Sequence, residues 1–176
     1  FTPKGKQPSL YFDPVVDNRE FAPKLVGRQN RTGRFEEDPA LVFIFTDLWG
    51  VGPAMNYKTS KTPTEIIRKA LEMEVQRFGI KTTKDSDLAD GVLKASIEKF
   101  RIPSTRPSVM VSINLKLYQA GFDDPVWSGT LKGESGSFRA FSLCRIRCYN
   151  GEKKLNTALN NAIKQWYNYP GFKEAL

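Results

Sequence analysis

The chain has 176 residues, of which 40% are hydrophobic and 26% charged, values that fit one globular domain and exclude long disorder and collagen-like repeats. It contains no histidine, which excludes Ser-His-Asp and Cys-His catalysis and imidazole-zinc sites and lowers the expectation of an enzyme. Lys and Arg outnumber Asp and Glu by 27 to 19, so the formal net charge of +8 favours an anionic partner.

Five prolines interrupt the first forty residues, and the sequence there predicts loops or an extended arm. Within this arm we expect short edge pairings at Ser9–Phe12 and at Lys24–Val26. Because the first residue is Phe1 rather than Met, we expect a processed or trimmed chain.

Leu41–Trp49 (LVFIFTDLW) is nearly continuous in β-branched and aromatic residues, which predicts a strand covered on both faces. The next element is a helix that begins at Thr62-Pro63-Thr64-Glu65, a capping box with proline in the first turn. Its apolar stripe ends at Gly79, which fits the left-handed position after a helix. A short strand is predicted at Ile80–Thr83.

Three longer strands are predicted at Gly91–Ile102, Ser108–Gln119 and Pro125–Ser135. In the first, the alternation of apolar residues slips by one position around Glu98, which predicts a β-bulge. In the second, the odd-numbered residues from Val109 to Leu117 form the apolar face and the even-numbered residues the polar one. Short connections between these strands predict hairpins.

A final amphipathic helix is predicted over residues 152–167. The fold class is therefore predicted as α+β, with one curved, mainly antiparallel sheet and both helices packed on one face. Residues 1–40 are interpreted as the arm and residues 41–176 as a single domain. The polar face of the sheet, or its edge, is expected to recruit a partner, the edge by strand addition.

The last quarter of the chain, residues 136–176, carries seven positive and two negative charges and so holds most of the basic excess. A solvated face explains such a cluster without any ligand, and the alternative is an anion-binding patch. The residues proposed for that patch are Arg139, Arg145, Arg147, Lys153 and Lys154.

Cys144 and Cys148 are the two cysteines of the chain. In a regular strand their Cα atoms would be about 13 Å apart, too far for a disulfide, whereas a helical turn or an irregular loop brings them within reach. In an oxidising compartment a disulfide is the leading interpretation, followed by two structural thiols and then by a redox pair.

The spacing Asp85-x-Asp87-x-x-Asp90 faintly resembles a calcium loop, but the glycine and glutamate that an EF-hand requires are replaced by Asp90 and Ser96. We interpret these carboxylates as a charged turn. The sequence predicts no metal, no cofactor and no catalytic residue.

Several segments together resemble the YajG-like family of small bacterial lipoproteins. The residues that carry the resemblance are Pro14, the strand Leu41–Trp49 with Asp47, Ile67–Gly79, the run Leu88-Ala89-Asp90-Gly91-Val92-Leu93 followed by Ile97, Val109–Leu117, Val126-Trp127-x-Gly129, Leu155–Ile163 and Pro170–Leu176. The resemblance covers residues 41–176. It implies a protein of the bacterial periplasm or cell surface, anchored at the outer membrane by a lipidated cysteine that is absent from this chain.

This resemblance and the missing histidine favour a non-enzymatic envelope lipoprotein, a binding or scaffold domain whose partner is a protein, a glycan or an anionic lipid headgroup. The alternative is a basic nucleic-acid-binding module, although the sequence lacks the aromatic motifs typical of such modules. A third hypothesis is an enzyme that uses carboxylates alone, and nothing in the sequence places two carboxylates in one cleft.

Overall fold

The structure is a computed structural model that describes residues 7–19, 41–45, 55–58, 61–101, 108–119, 121–136, 151–166, 169–172 and 174–175. Eight strands and two helices lie within these ranges. In chain order they are β1 (Ser9–Phe12), β2 (Val16–Asp17), β3 (Leu41–Phe45), β4 (Met55–Lys58), α1 (Pro63–Arg77), β5 (Lys81–Thr83), β6 (Gly91–Arg101), β7 (Met110–Gln119), β8 (Trp127–Glu134) and α2 (Gly151–Gln165).

The main sheet has the strand order β5-β1-β6-β7-β8, and β2 pairs with β6 further along the same edge as β1. β6, β7 and β8 form an antiparallel meander, as predicted from their short connections. β1 runs parallel to both β5 and β6, and β2 also runs parallel to β6. The sheet is therefore mixed, and the prediction of a mainly antiparallel sheet needs this correction. The α+β class is supported.

The position of β1 is the reason for the mixed sheet. The chain forms β1 first and passes through α1 before it forms β5, so β5 returns parallel to β1. Leu10 and Phe12 are 0% and 2% exposed, so both of these alternating side chains point into the core. The segment Ser9–Phe12, expected to form a short edge pairing, is thus an interior strand. The division of the chain at residue 40 stays a prediction.

β3 and β4 form a separate two-stranded antiparallel sheet. The predicted strand at Leu41–Trp49 is therefore found over Leu41–Phe45, but it is not a member of the main sheet. Its neighbour β4 was not predicted from the sequence. β4, a nearby segment of the chain, is the hydrogen-bonding partner of β3.

Helix α1 has the predicted capping box. Thr62 accepts a hydrogen bond from the backbone N–H of Glu65, and the Glu65 carboxylate accepts one from the backbone N–H of Thr62. Gly79 follows the helix with φ of +77°, a conformation that favours glycine. The predicted bulge in β6 is also confirmed, because the register with β7 shifts between Ile97 and Lys99.

Both helices pack on the apolar face of the main sheet and share one hydrophobic core. α1 contributes Ile67, Leu71 and Val75 to this core. α2 contributes its predicted apolar stripe, which ends at Trp166. The ring of Phe78, just after α1, meets the ring of Trp166 edge-on with 5.7 Å between centroids. The prediction of two helices on one face therefore holds, and the opposite face of the sheet is left polar. None of the helices in the described ranges is long and apolar enough to cross a bilayer.

Candidate functional site: the open face of the sheet

Most of the residues proposed from the sequence lie outside the described residues. These are Cys144, Cys148, Arg139, Arg145 and Arg147, so both the disulfide and the convergence of the patch stay predictions. Lys153 and Lys154 lie in the first turn of α2. Lys153 is exposed, and the Nζ of Lys154 donates a hydrogen bond to the carbonyl oxygen of Gly136 at 2.8 Å. Lys154 therefore connects the start of α2 to the end of β8.

The face of the main sheet opposite the helices, here called the open face, is polar across its three long strands. Register places its residues in transverse rows, because directly paired residues point to the same side. The middle row consists of Ser96, Asn114 and Thr130, one each from β6, β7 and β8.

The middle row is joined by side-chain hydrogen bonds. The Thr130 hydroxyl donates to Asn114 Oδ1 at 2.7 Å, and Asn114 Nδ2 donates to Glu98 Oε1 at 3.1 Å. The Ser96 hydroxyl donates to the same Glu98 oxygen at 2.9 Å. These bonds link three strands into a pre-organised polar floor that is only partly buried.

Four exposed lysines, here called the lysine frame, flank the middle row on two sides: Lys94, Lys99, Lys116 and Lys132. On one side Lys94 and Lys116 are direct cross-strand partners, with Cα atoms about 5 Å apart by sheet geometry. On the other side Lys99 and Lys132 both pair with Ser112, one from each neighbouring strand. Lys116 and Ser112 are four residues apart on β7, so the two pairs of lysines are separated by about 13 Å.

The carboxylates near the lysine frame are engaged by protein groups. Asp13 Oδ2 lies 3.9 Å from the Nζ of Lys94, and that ammonium also lies 4.8 Å from the centre of the Tyr118 ring. Glu98 accepts the bonds of the middle row, and Glu134 accepts a short hydrogen bond from the Ser108 hydroxyl. Within the described part of the chain, Lys99, Lys116 and Lys132 have no carboxylate within ion-pair distance. Their ammonium groups are therefore available to an external anion.

The outer edge of β8 is closed by side chains from the α2 side. Gln165 accepts a hydrogen bond from the backbone N–H of Lys132, and Asn161 donates to the carbonyl oxygen of Glu134. The Tyr169 hydroxyl donates to the carbonyl oxygen of Thr130. These three residues recur every fourth position and satisfy backbone groups that another strand would otherwise pair with. These side chains oppose strand addition at this edge, and the expectation of strand addition stays a prediction.

The aspartates of the calcium-like spacing have structural roles. Asp90 Oδ2 accepts hydrogen bonds from the backbone N–H and the hydroxyl of Ser9, which fixes the loop before β6 against β1. Asp85 Oδ1 accepts a hydrogen bond from the backbone N–H of Asp87 within an exposed turn. This arrangement fits the interpretation as a charged turn.

Sequence reasoning identified the polar face of β7 but missed the lysine frame. Each lysine appears singly in its own strand, and its neighbours on the other strands are decided by register. The signal that was available is the position of Lys94, Lys116 and Lys132 on the polar side of three alternating strands.

No protein-family model matches this chain, and no curated protein matches its sequence. The fold is similar to that of protein XCC0632 from Xanthomonas campestris, assigned to the family DUF330, with a TM-score of 0.52 and 14% identity over 93% of this chain and 82% of that chain. At this identity the similarity establishes a shared fold.

Two further structures show weaker similarity. The PelC dodecamer from Paraburkholderia phytofirmans matches with a TM-score of 0.49 and 12% identity, over 90% of this chain and 85% of that chain. Lipoprotein GNA1162 from Neisseria meningitidis matches with a TM-score of 0.36 and 12% identity, over 93% of this chain and 100% of that chain. Bacterial proteins, with a lipoprotein among them, are thus the structural neighbours, and the YajG-like assignment is not confirmed.

Proposed function

We propose that this chain is an accessory domain of the bacterial cell envelope that acts by binding through its open face rather than by catalysis. The observation that carries the proposal is a three-strand polar surface on which the side chains are ordered by hydrogen bonds and the lysines stay exposed. The sequence pattern that resembles YajG-like lipoproteins supports the envelope location. The fold shared with XCC0632 is compatible with it.

The chemistry of the open face supports binding. Its ordered groups are hydroxyls, an amide and the Glu98 carboxylate, and the exposed lysines lie beside them, an arrangement that suits recognition of polar groups and of anions at the lysines. A chain without histidine has fewer means of general acid-base catalysis near neutral pH. The mode of attachment that we propose is an N-terminal lipid anchor upstream of this chain, at the outer membrane.

Location is tested by fractionating bacterial cells that produce the full-length protein. We expect the protein in the envelope fraction, together with a lipoprotein marker. Recovery in the cytosol with ribosomes or nucleic acid would overturn the envelope proposal and would favour the nucleic-acid-binding alternative.

The role of the open face is tested by placing a photo-crosslinking residue at Ser128, the exposed cross-strand neighbour of Lys116, or, as a control, at Lys69 on the exposed side of α1. We expect illumination of intact cells to give an adduct from position 128 and none from position 69. Adducts from position 69 alone would show that a different surface makes the contact.

A further inference from the structure

We infer that the lysine frame and the middle row together bind an acidic polysaccharide, a polymer rich in hydroxyl groups with well-separated carboxylates. This inference rests on the proposed use of the open face and names its ligand class. Three features of that face carry it: a like-charge pair, three lysines without an ion-pair partner among the described residues, and a hydrogen-bonding floor between them.

The like-charge pair is Lys94 and Lys116. Like charges directly opposite each other on neighbouring strands destabilise a sheet. Asp13 and the Tyr118 ring attract Lys94, but Lys116 has no such neighbour among the described residues. An anion held between the two ammonium groups would remove their repulsion. Binding at this pair would therefore offset a destabilising interaction of the free protein.

The spacing of the lysines favours a sparsely charged polymer. One pair lies about 13 Å along the strands from the other, and between them lie the middle row and the Glu98 carboxylate that accepts its hydrogen bonds. Duplex DNA carries a much denser row of phosphates, about one negative charge per 1.7 Å of its axis.

The floor favours a hydroxyl-rich ligand over a lipid surface. One hydrogen of the Asn114 amide remains after its bond to Glu98, the Thr130 hydroxyl still has acceptor capacity, and the Ser128 hydroxyl is exposed beside them. Sugar hydroxyls both donate and accept, so they complement these groups. A surface that inserts into a bilayer instead needs exposed apolar side chains beside its lysines, and the floor between these lysines is polar.

The test measures the affinity of the purified chain for alginate and polygalacturonate, with dextran as the uncharged control. The variant K99Q/K116Q/K132Q removes three lysines of the frame. The matched control K69Q/K84Q/K164Q removes three exposed lysines elsewhere and changes the net charge equally. We expect the frame variant to bind either acidic polymer about tenfold more weakly and the control variant to stay within about twofold of wild type. Binding should weaken as salt is raised.

Equal losses in both variants would show attraction by net charge alone and would overturn the inference. Binding of phosphatidylglycerol vesicles or of single-stranded DNA through the same lysines, without binding of either acidic polymer, would assign the frame to another ligand class. Failure of all probes would also overturn it. If the polymers fail while crosslinking at position 128 persists, the ligand class is wrong and the proposed function stands.

A folding control separates loss of the site from loss of the fold. Because Lys116 faces Lys94, we expect K116Q to unfold at a denaturant concentration no lower than wild type while it binds acidic polysaccharide more weakly. A K116Q protein that is both less stable and unchanged in affinity would contradict the role given to this pair.

Discussion

Gly133 on β8 lies directly beneath the backbone of Ala158 on α2. A Cβ atom at position 133 would come within 1.9 Å of the Ala158 carbonyl oxygen and within 2.5 Å of the Ala162 backbone nitrogen. Both are far inside van der Waals contact, so α2 approaches the sheet as closely as it does because residue 133 has no side chain. The helix that closes the edge of β8 is therefore positioned by a glycine.

Replacing Gly133 by alanine should force α2 away from the sheet. The clash is with backbone atoms, which cannot rotate aside, so we expect a loss of about 3 kcal/mol, at or above the upper end of the usual cost of overpacking. Urea unfolding measures it. Gly136→Ala is the matched control, since a Cβ there meets nothing within 4 Å. Equal stability of the two variants would contradict the close contact.

Removing the side chains that cover the β8 edge should expose an unpaired strand. We expect N161A/Q165A to lose about 1–3 kcal/mol and to form higher oligomers as protein concentration increases, because free backbone groups pair with other strands. Light scattering after gel filtration detects these species. Asn160→Ala changes an exposed neighbour on the same helix and should remain like wild type.

The capping box of α1 should contribute to stability through the Thr62 hydroxyl. Thr62→Ala removes the acceptor for the Glu65 N–H, and we expect a loss of about 1 kcal/mol, typical of N-cap removal. Thr62→Ser keeps the hydroxyl and should retain most of the stability in thermal and urea unfolding. A loss of the same size in both variants would show that the methyl group, rather than the cap, is responsible.

The pKa of Glu65 lies below its ordinary value of 4.5, first because the backbone N–H of Thr62 donates to its carboxylate and second because the Thr62 hydroxyl does. A lowered pKa in the folded state means that the ionised group stabilises the protein above its unfolded pKa and that this contribution disappears as pH falls through the folded value. Wild type should therefore exceed E65Q in stability at pH 7, and that advantage should disappear progressively as the pH is lowered below 4.5. Urea unfolding across this pH range checks this. A constant difference would contradict it.

The hydrogen bond between Thr130 and Asn114 should appear as a coupling energy. In a double-mutant cycle of Thr130→Val and Asn114→Ala, we expect the two losses to be non-additive by about 0.5–1.5 kcal/mol, because either change removes the same bond. Ser128→Ala on the same strand and face supplies the control, and its effect should add to that of Asn114→Ala. Full additivity in the first cycle would show that the floor is not connected in solution.

The features that the sequence predicted best are patterns within single helices or strands. The capping box at Thr62, the bulge beside Glu98 and the inward side of β7 all depend on residues close together in the chain. The strand at Ser9–Phe12 was also visible, but its place in the sheet was not. Four residues cannot show whether one or both edges are paired.

The candidate site was less predictable for the same reason. Lys94, Lys116 and Lys132 each appear as ordinary polar positions, and the frame exists because three strands align in one register. The charge distribution of the sequence indicated instead a patch of basic residues near the C-terminus, most of which lie outside the described residues.

The sequence by itself determined the apolar faces of the strands and helices, the helix caps and the exclusion of histidine chemistry, because side-chain periodicity and composition are local properties. Tertiary structure alone decided that β1 enters the interior of the sheet, that α2 closes the edge of β8, and that lysines from three strands surround one polar row. Each of these depends on contacts between residues distant in the chain, which are selected by packing and backbone hydrogen bonding together rather than by any one segment.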